Sequence, residues 1–293
     1  MNYLYLNGQF VPEEEAVISV FDQGLLYGDG IFETFRSVGA HLYQLSDHYR
    51  RLAQSAEALN YSLSFSQREL EDILLKLREM NHLTNAYYRV TVTRGKGQIG
   101  FARSLGNDLT CLIIAKEFKG FDGFFYRDGI SLQVAQIRRN APEAISPKIK
   151  SISNLNSLLG KLEARAAGVL EVIMLNNKGH VCEGAASNVF WSKGDWVFTP
   201  DGSTGILEGV TRATIMRLCE DKLNLRVIPG EYRLQDLKFS DEVFITSTSL
   251  EVMPVVNVDG FMINQGQVGP IADKLRAELH LDMKRFSAGD ALG

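Results

Sequence analysis

One lysine, one glutamate and two turns rich in glycine or hydroxyl groups, all in the second half of the chain, could together do chemistry. Lys150 stands in Pro147-Lys-Ile-Lys150-Ser-Ile-Ser-Asn154, just before a stretch that reads as helix. Glu183 stands in Val181-Cys-Glu183-Gly-Ala-Ala-Ser-Asn188, after a strand-like run. Gly205-Ile-Leu-Glu-Gly209-Val-Thr211-Arg leads into another helix, whose first backbone N–H groups suit a phosphate. Thr246-Ser-Thr248-Ser adds hydroxyls after a strand. A lysine amine attacks carbonyl carbon. A carboxylate keeps a pyridine nitrogen protonated, and amides and hydroxyls hold phosphate oxygens. Pyridoxal 5′-phosphate (PLP) requires this set: a Schiff-base lysine, an acidic partner for the ring nitrogen and a phosphate cradle. Taken singly, each piece has a plainer reading. A lysine before a helix is usually solvated, a glutamate at a strand end is usually a surface charge, and Gly/Thr runs are usually turns.

The elements that must position these residues follow from periodicity. Tyr3 to Leu6, the Asn7-Gly8 turn and Phe10-Val11 predict an opening hairpin. The glycine-rich Gly24 to Gly30 leads into a strand over Ile31 to Arg36. Helices are expected from Ser46 to about Leu59, and after the capping box Ser66-Gln-Arg-Glu69, where Leu70, Ile73, Leu74 and Leu77 keep helical spacing. Strands follow over Tyr87–Thr93 and Thr110–Ala115. Residues 117–130 show no clean period, which divides the chain into a small N-terminal α+β domain (1–119), a linker (120–130) and a larger C-terminal domain (131–293). The second half predicts a strand over Ser131–Ile137 and a helix from about Asn154 to Ala167. Strand pairs are expected around Asn177-Lys-Gly179 and Lys193-Gly-Asp195, then a helix from Thr211 and a strand over Glu242–Thr246. Strands with interspersed helices, without strict βαβ alternation, indicate an α+β class.

Composition narrows the field. The 293 residues are 45% hydrophobic with a net charge of −4, so no basic surplus points to nucleic acid. No apolar run is long enough to span a bilayer, and the N-terminus lacks the pattern of a signal peptide. Cys111, Cys182 and Cys219 are widely spaced in apolar surroundings, which points to reduced thiols and a cytoplasmic location. His180-x-Cys182 lacks further ligands, so no metal is expected. Gly95-Lys-Gly97-Gln-Ile-Gly100 matches a dinucleotide fingerprint, but the following Phe101 to Asp108 is a poor helix and the match carries no nucleotide site.

In order and spacing, these motifs resemble the class IV aminotransferases. These PLP-dependent enzymes of fold type IV include branched-chain aminotransferases, D-amino-acid aminotransferases and 4-amino-4-deoxychorismate lyases. The likeness runs from Asp22-Gln-Gly-Leu-Leu-Tyr-Gly-Asp-Gly-Ile-Phe-Glu33 to Glu251-Val-Met-Pro254. The 33-residue spacing of Lys150 and Glu183 matches the family, as do His48-Tyr-Arg-Arg51-Leu-Ala-Gln-Ser-Ala56, Glu183 through Phe190, and Gly209-Val-Thr-Arg212. The resemblance implies a two-domain, D-amino-acid aminotransferase-like fold with a small N-terminal α/β domain and a larger, β-barrel-like C-terminal domain. It implies that Lys150 forms the Schiff base and shuttles the proton, and that Glu183 pairs with the pyridinium nitrogen. Arg51, Val210, Thr211 and Thr248 would hold the phosphate. Asn154 stands where the family often has Tyr and would donate to the ring oxygen.

The resemblance also implies a homodimer acting on an amino acid and a 2-keto acid. Tyr87-Tyr-Arg89 is similar to the Y-x-R of branched-chain enzymes, and Thr93-Arg94-Gly95 to the T-R-G of D-amino-acid and archaeal-type branched-chain enzymes. Arg89 and Arg94 are therefore candidates for the substrate carboxylate, with a structural ion pair as the plain alternative. Phe32 would favour an aliphatic side chain, or simply pack in the core. Branched-chain L-amino acids are the expected substrates. Phe32-Glu-Thr-Phe-Arg36 is closer to the lyases, so elimination of pyruvate from aminodeoxychorismate is the rival activity, and a D-amino-acid aminotransferase is a further one.

Overall fold

The computed structural model describes residues 2–100 and 108–287. The reading of 101–108 as a poor helix lies outside them except for Asp108. Up to Gly100 the glycine fingerprint opens no helix. The chain forms two compact units. The first comprises Met1–Lys119, Ile149–Ser153 and Met283–Gly293, and the second Gly120–Lys148 and Asn154–Asp282.

In the first unit, β1 (Tyr3–Leu6) and β2 (Gln9–Pro12) form the expected hairpin. Its turn has φ of 48° at Asn7 and 91° at Gly8, the left-handed pair that matches the strand twist. Next come α1 (Gln23–Tyr27), β3 (Gly30–Val38), β4 (His41–Leu42), α2 (Leu45–Ala58), α3 (Gln67–Met80), β5 (Ala86–Thr93) and β6 (Thr110–Glu117). The six strands run in the order β2-β1-β6-β5-β3-β4 and pair antiparallel throughout. The helices cover this sheet because their apolar residues recur on one side: Leu52 and Ala56 of α2 and Leu70, Leu74 and Leu77 of α3 are buried with Phe35, Tyr88, Val90 and Ile113. Ser66 starts α3, accepting from Glu69 N at 3.3 Å while Glu69 Oε2 accepts from Ser66 N at 2.7 Å. Leu74 is fully buried, so Leu74→Ala would cost about 2–5 kcal/mol.

The second unit opens with α4 (Gly123–Asp128) and β7 (Ile130–Val134), so the stretch expected as an irregular linker forms a short helix and the start of a strand. Phe121, Phe125 and Tyr126 are the reason, since they pack against the apolar core of this unit. Then follow α5 (Leu155–Ala166), β8 (Glu171–Ile173), β9 (Asn188–Lys193), β10 (Trp196–Pro200), α6 (Val210–Leu223), β11 (Arg226–Gly230), α7 (Leu234–Lys238), β12 (Glu242–Ser247), β13 (Glu251–Val258), β14 (Phe261–Met262) and α8 (Pro270–Ser287). The sheet order is β11-β10-β9-β12-β13-β7-β8, with β14 on β13. It is parallel at β10/β11, β13/β7 and β7/β8 and antiparallel elsewhere. Among the described residues no ladder joins β8 to β11, so the sheet is open at that seam. Its core holds Trp191, Val189, Ile245, Met253 and Val181. Around Asn177-Lys-Gly179 the expected strand pair shrinks to a single bridge, Leu175 to Val181.

Residues 149–153, expected within the C-terminal domain, cluster instead with the first unit. Backbone bonding is the cause: Phe32 N donates to Lys150 O at 2.9 Å and Ile152 N to Gly30 O at 3.0 Å, laying the segment beside β3.

Candidate active site

Lys150 is held by its backbone. Besides the bond from Phe32, its own N–H donates to Ser55 Oγ of α2 at 3.1 Å. Its Nζ lies 4.5 Å from the centre of the Phe32 ring. Arg89 Cζ lies 4.0 Å from the same ring centre. The register of β3 on β5 sets Thr34 opposite Arg89 and Thr91 opposite Phe32, which makes Phe32 and Arg89 diagonal neighbours. Arg89 is half-buried, and burial holds its guanidinium below the usual arginine range. It has no carboxylate partner among the described residues; its close neighbour is the face of an aromatic ring.

Arg94, the second candidate for the substrate carboxylate, is spent differently. Its Nε donates to Asp29 Oδ2 at 2.6 Å, its Nη2 to Leu59 O at 2.7 Å, and its guanidinium covers the Tyr61 ring at 4.5 Å. Tyr61 donates to the same Asp29, and burial with that bond pushes its hydroxyl pKa far up. Arg94 Nη1 is buried without an acceptor and closed to solvent. This is the structural ion pair left open by the sequence.

Arg51 forms a forked pair with Glu33, Nε to Oε1 at 2.6 Å and Nη2 to Oε2 at 2.9 Å. His48 Nδ1 stands 2.9 Å from the same Oε2. Burial alone would raise the Glu33 pKa, but the charge and bonds of Arg51 and the bond from His48 outweigh it and hold the carboxyl at about 2. Burial lowers the His48 pKa despite Glu33, which favours the neutral ring.

In the second unit Glu183 is buried and held at both carboxylate oxygens. Arg139 Nη2 lies 2.8 Å from Oε1, and Oε2 accepts from Asn188 Nδ2 and Leu207 N, each at 3.1 Å. Arg139 supplies the counter-charge and is itself fixed by Nε donating to Gly205 O at 3.1 Å. Asn188 also donates to Leu207 O at 2.8 Å, so one amide ties Glu183 to the loop that opens α6. That helix begins at Val210 and Thr211 behind Gly209, and no side chain caps it. Its first N–H groups and positive dipole end are thus left for an anion. A Cβ at Gly209 would come 2.3 Å from Asn188 Oδ1, so glycine is required for this approach. Arg212 turns away, donating to Pro200 O at 2.9 Å. Thr248 lies in the turn between β12 and β13, and Thr246 Oγ1 beside it in sequence is buried without a partner. Asn154 precedes α5, exposed, with no capping bond from its side chain. Cys182 donates to Thr204 O, and burial pushes its thiol up to about 12, so it is no nucleophile.

A counter-charged carboxylate braced on the same asparagine as an uncapped helix start fits a cationic ring nitrogen and a phosphate on one ligand, which is the donor set PLP needs. Sequence reasoning gave no role to Arg139, Glu33 or Glu171. A lone carboxylate inside an apolar strand, as in Phe32-Glu33-Thr34 and Leu170-Glu171-Val172, is the signal that could have found two of them.

The comparisons agree with that fit. The fold is the PLP-dependent fold type IV. Residues 30–258 match the family described as Amino-transferase class IV. The chain is 38% identical over 273 residues, 93% of each chain, to a putative branched-chain-amino-acid aminotransferase of Methanocaldococcus jannaschii. It is 35% identical over 258 residues, 87% of this chain and 86% of the relative, to the aminodeoxychorismate lyase of Bacillus subtilis. The branched-chain amino acid aminotransferase structure from Escherichia coli superposes with a TM-score of 0.91 at 30% identity, covering 95% of this chain and 93% of that one. The branched-chain amino acid aminotransferase of Thermobaculum terrenum in its PLP-form gives 0.87 at 25%, covering 96% and 94%. The chain belongs to the class IV aminotransferases, and its cofactor is PLP.

Proposed function

We propose that this enzyme transfers the amino group of branched-chain L-amino acids to a 2-keto acid, with Lys150 as its catalytic residue. The observation that carries the reading is the pair of cations on one ring: Lys150 Nζ at 4.5 Å and Arg89 Cζ at 4.0 Å from the centre of Phe32. An amino acid presents an amine, a carboxylate and a side chain, and these three residues supply a partner for each. Lys150 handles the amino end, Arg89 takes the carboxylate, and Phe32 offers an aliphatic side chain an apolar wall.

PLP supplies an aldehyde that condenses with amines and a ring that accepts the electrons left by the departing proton. Lys150 Nζ would hold the cofactor at rest, then take the substrate's Cα proton and return it. Glu183, counter-charged by Arg139, would keep the ring nitrogen protonated. Val210 and Thr211 main chain, Thr248 and Arg51 would hold the phosphate. Asn154 would serve the ring oxygen. The forked bond to Glu33 fixes the Arg51 guanidinium.

The enzyme acts as a homodimer. In its support, α5 exposes Leu155, Leu158, Leu159 and Leu162, at 64, 54, 37 and 51%, spaced as one helical stripe. Among the described residues no helix is long and apolar enough to cross a membrane, and the three cysteines are buried free thiols, in keeping with a cytoplasmic enzyme.

Lyase activity is the second reading, favoured by Thr34 in Phe32-Glu33-Thr34-Phe35-Arg36. One experiment separates the readings. The PLP-loaded protein is mixed with L-leucine, or separately with D-alanine, without keto acid, and its absorbance is recorded. Conversion to the pyridoxamine form by L-leucine supports the proposal. Conversion by D-alanine alone reverses the stereochemical assignment. No conversion by either moves aminodeoxychorismate elimination to first place.

A further inference from the structure

We propose that Glu171 is a positioning residue for the cofactor: its buried carboxylate shapes the turn that sets Glu183 and Asn188. This rests on the reading of Glu183 as the partner of the ring nitrogen. Glu171 lies in β8, in the apolar run Val169-Leu-Glu-Val-Ile-Met174, and is 0% exposed. A carboxylate so placed needs a counter-charge and donors. Lys161 of α5 supplies the charge, with Nζ 2.8 Å from Oε2. That pair alone does not account for the geometry, because both oxygens are also engaged by the next turn of chain. Ala185 N donates to Oε1 at 3.1 Å, and Ala186 N and Ser187 Oγ donate to Oε2 at 3.2 and 3.4 Å. Oε1 additionally accepts from Val172 N at 3.0 Å.

The turn that Glu171 gathers is Gly184 to Ser187, closed by Gly184 N donating to Ser187 O at 2.7 Å. A Cβ on Gly184 would meet Ser187 Oγ at 2.2 Å and Glu171 Cγ at 3.0 Å, so the chain is drawn tightly onto the carboxylate. At one end of the turn stands Glu183, at the other Asn188, whose Nδ2 donates to Glu183 Oε2 at 3.1 Å. Glu183 O also accepts from Met174 N at 2.9 Å, on the chain that continues from β8. The backbone of Glu183 is therefore held from the continuation of β8, and among the bonds to its carboxylate the one from Asn188 depends on the turn. Lost donors at Glu171 would release the turn and with it the Asn188–Glu183 bond. The N–H groups of Val210 and Thr211 stand on α6, which Glu171 does not touch. Asn188 also donates to Leu207 O at 2.8 Å ahead of α6, so loss of the turn acts directly at the ring nitrogen and reaches the phosphate cradle only through that one bond.

The test uses Glu171→Gln, which keeps the shape and presents an amide to the turn's donors, with Glu171→Asp, which keeps the charge and falls one methylene short. Glu183→Gln is the control. Each full-length holoenzyme is purified, its thermal midpoint and the pH profile of its cofactor absorbance recorded, and its apo form titrated with PLP and, separately, with inorganic phosphate. Glu171→Gln should weaken PLP about tenfold or more, as expected for lost bonds to a charged group, and shift the absorbance profile. Phosphate affinity should fall far less than PLP affinity. Glu171→Asp should do the same and serves as the variant if Glu171→Gln does not fold. Wild-type PLP affinity and pH profile in whichever variant folds overturns the inference. So does an equal loss of PLP and phosphate, which would mark Glu171 as a general packing residue. Glu183→Gln without effect would sink the reading of Glu183 itself, which is a different failure.

Discussion

Arg51 grips Glu33 with two parallel bonds of 2.6 and 2.9 Å, and both side chains are withdrawn from water. The Glu33 carboxyl falls from the ordinary 4.5 to about 2, which corresponds to about 3 kcal/mol of stability linked to its ionisation. The sign follows from the direction. A depressed folded pKa gives stability that is complete above about 4.5 and lost as pH falls toward 2. The lowered His48 pKa acts in the same sense, its share fading as pH falls below the ordinary 6.5. Thermal midpoints should therefore decline steeply below pH 5. Glu33→Gln should flatten that decline, and at pH 7 it should cost about 3–5 kcal/mol because the buried Arg51–Glu33 pair loses its negative charge. An unchanged slope in Glu33→Gln would refute the linkage.

Arg89 and Arg94 should separate kinetically. Arg89 stacks on Phe32 with no carboxylate partner among the described residues, whereas Arg94 is tied to Asp29, Leu59 and Tyr61. Arg89→Ala should raise KM for amino acid and keto acid by about 10²-fold, the worth of a bidentate charged contact, with little change in melting. Arg94→Ala should lower stability by about 2–4 kcal/mol through the stranded Asp29 and leave KM nearly intact in the folded fraction. Steady-state kinetics beside chemical denaturation decides, and the reverse pattern would exchange their roles.

The hairpin, the capping box of α3 and the helical stripes were legible because each is a local rule: a left-handed turn pair, a serine three residues before a glutamate, leucines at helical spacing. The site motifs were legible as residue types in order. The placement of residues 149–153 beside β3 was not, because backbone bonds from Phe32 and Ile152 make it and leave no side-chain pattern. The helix within 120–130 was hidden because Phe125 and Tyr126 pack on the core while Phe124 beside them stays exposed, which leaves no clean period. The partition between Arg89 and Arg94 could not be read either. Both follow a strand residue in an ordinary context, and what distinguishes them is Asp29, 65 residues away from Arg94.

Gly209 offers a test of the brace between Glu183 and α6. Its φ of −67° is open to any residue, so backbone freedom is not its purpose. An added methyl would stand 2.3 Å from Asn188 Oδ1, forcing the amide off both Glu183 and Leu207. Gly209→Ala should weaken PLP binding by about tenfold or more, in line with two lost bonds, while the melting of the apo form changes little. Unchanged PLP affinity would show that Asn188 yields without consequence.

The stripe on α5 predicts the assembly. Four exposed leucines on a twelve-residue helix expose more apolar surface than a lone helix face ordinarily leaves to water. Leu158 sits near the stripe's middle and over half of it is exposed, so a charge there is harmless to the isolated chain and costly between two copies. Leu158→Glu should keep the fold, judged by far-ultraviolet circular dichroism, and shift sedimentation from dimer to monomer at micromolar concentration. A wild-type chain that sediments as a monomer would remove the basis for the dimer, and a dimer that survives Leu158→Glu would move the interface away from α5.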